Sequence, residues 1–353
     1  MEKIKEDFLS FSTSHSLVSE EKLLVLFEKL SDCLENEWRF EASPRPVNAE
    51  GKSGGLLDFS SSNFEKIILV PDIHGRREFL LNLMNLKIKG FSFSVMEGLA
   101  SKKLCLLCLG DGVHGEGRVR QRWLKAYDKW LEGNLVSPEM KEELIEDLGV
   151  MCQVALLKTS FPESFHFLKG NHENVLNIDG GGDFAFRKFV QEGEMVKDFL
   201  RSYYGDAVIH LIHLCERSFP VCAVFPHFGV SHSEVGNVYS RNEIINAFLN
   251  PDIISDFTWV GNDGVNSMTC SALHKELVSS EKENINPFWI AGHRPVKGDW
   301  KSRQNGTLFQ IHNPEQMKVL LLDKNQERFE DSIFLDVENH EEFKVEDSVC
   351  DKS

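Results

Sequence analysis

Lys66-Ile67-Ile68-Leu69-Val70-Pro71-Asp72-Ile73-His74-Gly75 is the stretch on which the fold of this chain turns. Ile67 to Val70 is an unbroken, mostly β-branched apolar run with no polar alternation, the pattern of a strand buried on both faces. The run stops at Pro71, and two polar side chains, Asp72 and His74, follow at its C-terminal end. The same grammar recurs four times. Apolar runs at 104–109, 164–169, 222–225 and 288–291 lead in turn into Gly110-Asp111-Gly112-Val113-His114, Gly170-Asn171-His172-Glu173, Pro226-His227-Phe228-Gly229-Val230-Ser231 and Gly292-His293-Arg294-Pro295.

Helical periodicity fills the intervals, over residues 78–86, 118–131, 138–158, 184–204 and 241–249. Strands alternating with helices predict an α/β fold, in which ligands gather outside the C-terminal ends of the strands. Two further apolar runs, 308–311 and 317–322, extend this sheet or begin a second one. Five strand ends that each carry Asp, Asn or His are expected to meet in one crevice.

Oxygen and imidazole donors suit hard or borderline divalent metals. Asp72 and His74 are placed to grip one ion, together with Asp111. A carboxylate has two oxygens and can bridge two cations roughly 3.5–4 Å apart, so Asp111 is the natural shared ligand. Asn171, His227 and His293 then complete a second position with Asp111. Singly, each residue has a plainer explanation as a turn former, helix cap or satisfied histidine; their joint occurrence beside Gly and Pro turns favours the metal reading. Two divalent metal ions are expected, manganese first, with iron or zinc as alternatives for the same oxygen and imidazole donors.

These motifs resemble the calcineurin-like metallophosphoesterase superfamily, whose pattern runs Asp-x-His, Gly-Asp, Gly-Asn-His-Glu, a lone His, then Gly-His. Within it, the chain is most similar to the phosphoprotein phosphatases that act on phosphoserine and phosphothreonine. Phe161-Pro162-Glu163-Ser164-Phe165-His166-Phe167-Leu168-Lys169-Gly170-Asn171-His172-Glu173 looks like that family's Tyr-Pro-Glu-x-x-x-x-Leu-Arg-Gly-Asn-His-Glu, and His227-Phe228-Gly229-Val230-Ser231 like its His-Gly-Gly-Leu-Ser. The resemblance spans residues 64–323. It implies a metallophosphoesterase-type layered β-sheet sandwich flanked by helices, and hydrolysis of a phosphomonoester by a metal-bridging hydroxide. It also implies that His172, beside Asn171, is the general acid and that the substrate is phosphorylated, possibly a phosphoprotein.

The second motif departs from the family's Gly-Asp-x-Val-Asp-Arg-Gly. His114 stands where the family has the Asp that orients the catalytic His, and Gly115 stands where it has the Arg that clamps phosphate. His114 is therefore expected to orient His172 or to bind phosphate, and Arg118 to reach back as the replacement clamp, unless it is a solvated charge on its helix. Arg76, Arg77 and Arg294 are secondary candidates, since arginine forks bind phosphate bidentately. Loss of the usual arginine keeps two alternatives open: a phosphodiesterase or dinucleoside polyphosphate hydrolase on the same fold, or a non-catalytic phosphate-binding relative.

The bulk numbers fit a globular protein: 353 residues, 41% apolar, 27% charged. A net charge of −16 argues against a nucleic-acid groove, which needs clustered Lys and Arg. The N-terminus has no apolar signal region, and no run approaches the roughly 20 apolar residues of a membrane span. Cytoplasmic location is the expectation, with no nucleic-acid or membrane partner. Cys105 and Cys108 form a CxxC inside an apolar strand and read as buried core thiols, not a redox pair. Gly180-Gly181-Gly182 reads equally as a lid hinge or a plain loop, and His210 and His213 as structural. Three regions are expected: residues 1–63, a helical extension and linker; 64–325, the catalytic domain; and 326–353, a solvated acidic tail carrying ten acidic residues against three basic.

Overall fold

The computed structural model describes residues 1–262, 265, 268–278 and 286–352. Its strands are β1 (Leu56–Asp58), β2 (Lys66–Val70), β3 (Leu104–Cys108), β4 (Phe165–Phe167), β5 (Cys222–Val224) and β6 (Phe228–Ser231), followed by β7 (Phe288–Ala291), β8 (Lys301–Arg303), β9 (Leu308–Gln310), β10 (Lys318–Asp323), β11 (Ile333–Asp336) and β12 (Glu341–Lys344). They form two six-stranded mixed sheets, ordered β12-β11-β10-β2-β3-β4 and β1-β5-β6-β7-β9-β8. The parallel set β2-β3-β4 lies in the first sheet, and the parallel set β6-β7-β9 in the second. The strand–helix alternation predicts the α/β class, and the two layered sheets are those the family resemblance implies.

The strands are apolar on both faces because both faces are covered. Ile67 and Leu69 of β2 point into the core between the sheets, where they meet Phe225, Phe228, Ile290 and Leu320. Ile68 and Val70 point the other way, into a larger core shared with the helices. A third core covers the outer face of the second sheet, under the helices Pro251–Thr258 and Thr269–Leu277. The odd spacing of Cys105 and Cys108 puts them on opposite faces, one in each core, so the CxxC cannot close.

Helix Pro138–Ser160 is the central buried helix, started by the Ser137 side chain accepting from Met140 N with Pro at the first position. Helix Arg120–Leu131 packs beside it, and Trp123 donates from its indole nitrogen to Gly115 O at 2.7 Å, tying down the second motif.

The chain ends are woven into the body. Phe8, Phe11, Leu23, Phe27, Leu30 and Leu34, from helices Glu2–Thr13 and Glu20–Glu35, belong to the main core. Glu37 lies buried between Arg45 (3.1 Å), Lys158 (2.6 Å) and His166 (3.1 Å), so a charged network joins the first 63 residues to the central helix and β4. β1, within those first 63 residues, is itself an edge strand of the second sheet. Burial opposes ionisation of Glu37, but Lys158, His166 and Arg45 outweigh it and hold the carboxyl below the usual range. The resulting stability is complete above the ordinary carboxyl value near pH ~4.3 and fades as pH falls through the lower folded value. Glu37→Gln is expected to cost about 3–5 kcal/mol at neutral pH by stranding buried cations, as read from urea unfolding.

The acidic C-terminal segment is also structured. β11 and β12 extend the first sheet, with Phe334, Leu335, Val337 and Val345 buried and the acids turned outward. Its acids lie at exposed or partly exposed positions along the hairpin and the turns beside it, a pattern that charge counting alone does not separate from disorder.

Candidate metal centre

Six strand ends converge, three from each sheet. β2 delivers Asp72 and His74, β3 delivers Asp111, and β4 delivers Asn171 and His172. From the second sheet, β6 delivers His232, β7 delivers His293, and β9 delivers His312. Their donor atoms fall into overlapping groups: Asp72 with His74 and His312, His74 with Asp111 and His172, and Asp111 with His232 and His293.

The ends meet because the turns permit it. Gly110 has φ +102°, and a Cβ there would lie 2.6 Å from the backbone nitrogen of Gly170. A Cβ on Gly292 would collide with Asp72 Oδ1. His74, Asp111, His114 and His293 all adopt positive φ without being glycine, a concentration of backbone strain typical of functional sites. Glu173 holds the Gly-Asp turn, accepting from Gly170 N at 2.7 Å and from Asp111 N and Gly112 N at 2.9 Å. His293 N donates to both oxygens of Asp72, at 3.1 and 3.0 Å, and so locks one sheet against the other.

Asp72, His74, Asp111, Asn171 and His293 are brought together as the sequence pattern predicts. His227 is not. β5 and β6 form an antiparallel hairpin, and His227 sits in its turn, at the N-terminal end of β6, with Nε2 3.9 Å from Glu327 Oε1. The strand that runs toward the site is Phe228–Ser231, and the residue at its C-terminal end is His232. Five residues of strand rise, roughly 16 Å, separate the two histidines. His232 Nε2 lies 2.9 Å from Asn171 Oδ1 and 3.4 Å from Asp111 Oδ1.

His312 is the second residue that sequence reading missed. Leu308-Phe309-Gln310-Ile311-His312 has the same form, an apolar run ending in a ligand type, and offered the one available clue. His312 is fully buried, neither ring nitrogen has a hydrogen-bond partner, and Nε2 lies 3.9 Å from Asp72 Oδ2. Glu116 is the third: its carboxylate approaches His74 Nε2 at 3.6 Å and His312 Nε2 at 3.8 Å.

The donor chemistry fits divalent cations. His232 Nδ1 bonds Leu109 O at 2.9 Å, which leaves the Nε2 lone pair facing Asn171 and Asp111 oxygens. Acceptors turned on acceptors inside a protein are costly unless a cation lies between them. Burial, with Asp72 and Glu173 nearby, pushes the Asp111 carboxyl well above the usual range. Burial also pushes His74 down to about 4 and lowers His232 and His293, so these imidazoles are neutral and ready to ligate at pH 7.

His172 is oriented differently from the sequence expectation. Its Nδ1 lies 3.3 Å from Val113 O, the same carbonyl that lies 3.3 Å from His74 Nδ1. One backbone oxygen thus sets the ring position of both histidines and turns each Nε2 into the site. The His172 ring also packs on Phe186, with centroids 3.8 Å apart. His114 stacks on the same Phe186 at 4.9 Å, while its backbone nitrogen donates to Asp147 Oδ1 at 2.9 Å. His114 is buried, burial pushes it down to about 3, and its ring lines a small internal cavity of about 30 Å³ with Asp147 and Glu216. Its ring lies beside that of His172, with centroids 5.2 Å apart and no hydrogen bond between them.

Arg118 lies at the edge of the site and donates to His74 O at 3.1 Å and Glu146 Oε2 at 2.6 Å. Arg76 is spent on the carbonyls of Asp72, Ile73, Pro314 and Gln316, and Arg77 on those of Phe11 and Ser14. Arg294 is exposed beside His293. His210 and His213 lie on helix Asp206–Ser218, outside the donor groups.

No protein-family model and no curated protein matches the chain. Solved structures do. A serine/threonine phosphatase from Saccharomyces cerevisiae, described as similar to human phosphatase PP5, superposes with a TM-score of 0.51 at 15% identity, covering 86% of this chain and 82% of that one. The chain shares its fold with that enzyme. A point mutant of a cold-active protein tyrosine phosphatase matches with a TM-score of 0.47 at 15% identity, covering 82% of each chain. Among the described residues, no helix is long and apolar enough to cross a membrane.

Proposed function

We propose that this phosphatase-fold chain is a binuclear metal-dependent phosphomonoesterase, similar in chemistry to serine/threonine protein phosphatases. The observation that carries the reading is the convergence of six strand ends on three overlapping donor groups, linked through His74 and Asp111. Asp72, His74, Asp111 and His312 would hold one divalent cation; Asp111, Asn171, His232 and His293 would hold the other. Manganese, iron or zinc suits these donors. When bound, the pair supplies Lewis-acid polarisation of the phosphoryl group and an acidified water at neutral pH.

The chain's own part is to place charge and move one proton. His172 turns Nε2 toward Asp111, 3.6 Å from Oδ2, and is the group positioned to protonate the leaving alkoxide. Burial, with His74 and His114 close by, holds His172 well below the ordinary imidazole value. The dianion of a bound phosphomonoester is the charge that brings the proton onto Nε2. Arg118, half-exposed at the groove beside His74, offers remaining N–H groups to a phosphoryl oxygen. The groove, about 740 Å³, is far larger than a phosphate and suits a phosphorylated side chain on a larger partner.

Manganese-loaded protein should turn over p-nitrophenyl phosphate and phosphopeptides in preference to bis-p-nitrophenyl phosphate and diadenosine tetraphosphate. Preference for the diester or the dinucleotide would transfer the site to the diesterase class. Metal binding without turnover on any of them would make it a binding module. His172→Ala is expected to lower kcat at least ~100-fold while metal content stays intact. A near-native rate would remove His172 from this role.

A further inference from the structure

The groove beside His74 is lined by three cations, Arg76, Arg118 and Lys188, each with a partner in the protein. Arg76 is buried and its guanidinium serves backbone carbonyls; Arg118 holds His74 O and Glu146. Lys188 differs. Its backbone is pinned, with Lys188 N donating to Glu192 Oε2 at 3.0 Å and Phe189 N to Glu192 Oε1 at 2.6 Å. Its ammonium is paired with Glu116, and the side chain is 38% exposed to the groove.

Glu116 is itself shared. The carboxylate that pairs with Lys188 also approaches His74 Nε2 at 3.6 Å and His312 Nε2 at 3.8 Å, the two imidazoles that form a donor group with Asp72. One carboxylate therefore stands between a prospective cation position and an ammonium at the rim. The segment bearing Lys188 also carries Phe186, which packs on His172, so a single stretch of chain touches both halves of the site.

We propose that Lys188 is a second phosphoryl-binding cation of this site, beside Arg118, with Glu116 as the counter-ion it gives up to an incoming phosphate. The exchange is balanced only when the Asp72–His74–His312 position holds a divalent cation, because Glu116 then keeps a positive neighbour. An ammonium has three N–H donors and loses little in trading one carboxylate for a phosphoryl oxygen. Metal loading and phosphate binding are thus coupled through Glu116, and by linkage each tightens the other. This assignment rests on the two-cation reading above and places the missing phosphate clamp outside the Gly-Asp motif. The ligand chemistry is a phosphate mono- or dianion, free or as a monoester.

Titration of the full-length, manganese-loaded protein with inorganic phosphate in a calorimeter tests it, with manganese counted by mass spectrometry. Lys188→Met should weaken phosphate binding about 10-fold or more at unchanged manganese content, and Lys188→Arg should retain most of it. Glu116→Gln should lower the affinity of one manganese position and, in metal-free protein, bind phosphate more tightly than the metal-free wild type. Unchanged phosphate affinity in Lys188→Met at full manganese content overturns the proposal. If wild type takes up no manganese, the two-cation reading fails by itself. Lys188 is then judged on metal-free Glu116→Gln alone, where phosphate binding no tighter than wild type overturns it as well.

Discussion

Asp111→Asn is expected to abolish binuclear metal loading while raising the melting temperature of the metal-free protein. Asp111 Oδ1 lies 3.4 Å from His232 Nε2 and Oδ2 4.0 Å from His74 Nε2, so one carboxylate serves both proposed positions. Loss of an outer partner of a metal ligand already costs about 10–100-fold in affinity, so losing the shared ligand should cost more than ~100-fold at each position. The stability change runs the other way. Burial beside Asp72 and Glu173 holds the folded Asp111 carboxyl well above its unfolded value. A carboxyl raised on folding costs stability as pH climbs past the unfolded value near ~3.9, so at neutral pH the metal-free fold bears this cost. Asparagine removes the charge and keeps an oxygen for His172 N, which donates to Asp111 Oδ1 at 3.0 Å. Melting curves in EDTA and in manganese should therefore rank the two proteins in opposite orders. Retention of two ions at near-native affinity would refute the shared-ligand assignment.

The second large effect separates two histidines five residues apart. His232→Ala should empty the second position, with affinity falling more than ~100-fold and turnover lost with it. His227→Ala should leave metal content and turnover unchanged, because His227 sits at the opposite end of β6 in the β5–β6 turn. His312→Ala should empty the first position in the same way. Metal counting on the three purified variants decides it; loss of metal in His227→Ala with retention in His232→Ala would reverse the assignment.

Much of the fold was legible in short runs. Lys66–Val70 and Phe288–Ala291 have the bounds that their apolar runs predict, and the runs at 104–109 and 164–169 form β3 and β4. Their polar exits carry Asp72, His74, Asp111, Asn171 and His293 into one place, because a strand buried on both faces can end in polar residues only where the sheet ends. The errors share one cause. Cys222 to Phe225 and Phe228 to Val230 are both apolar runs followed by a histidine within two residues, and nothing local says which runs toward the crevice. Pairing does: β5 is antiparallel to β6, whereas β6 is parallel to β7. The run at 184–204 was expected to be one helix, but the helix begins only at Glu192. Residues 184–191 instead place Phe186 on His172 and Lys188 on Glu116, contacts invisible to periodicity.

His114 shows the same limit at one residue. Its position in the Gly-Asp motif suggested a partner for His172; its ring lies 5.2 Å from that of His172 and stacks on Phe186, while the oxygen nearest His172 Nδ1 is the backbone carbonyl of Val113.

What the order of residues determined by itself was local: which segments are buried strands, and that each ends beside a Gly or Pro turn with a donor side chain. Tertiary structure alone decided which ends face one another, and so chose His232 over His227 and added His312 and Glu116. The physical reason is that hydrophobic patterning specifies burial, whereas the direction of a strand is specified by its neighbours, and a metal site is made of directions.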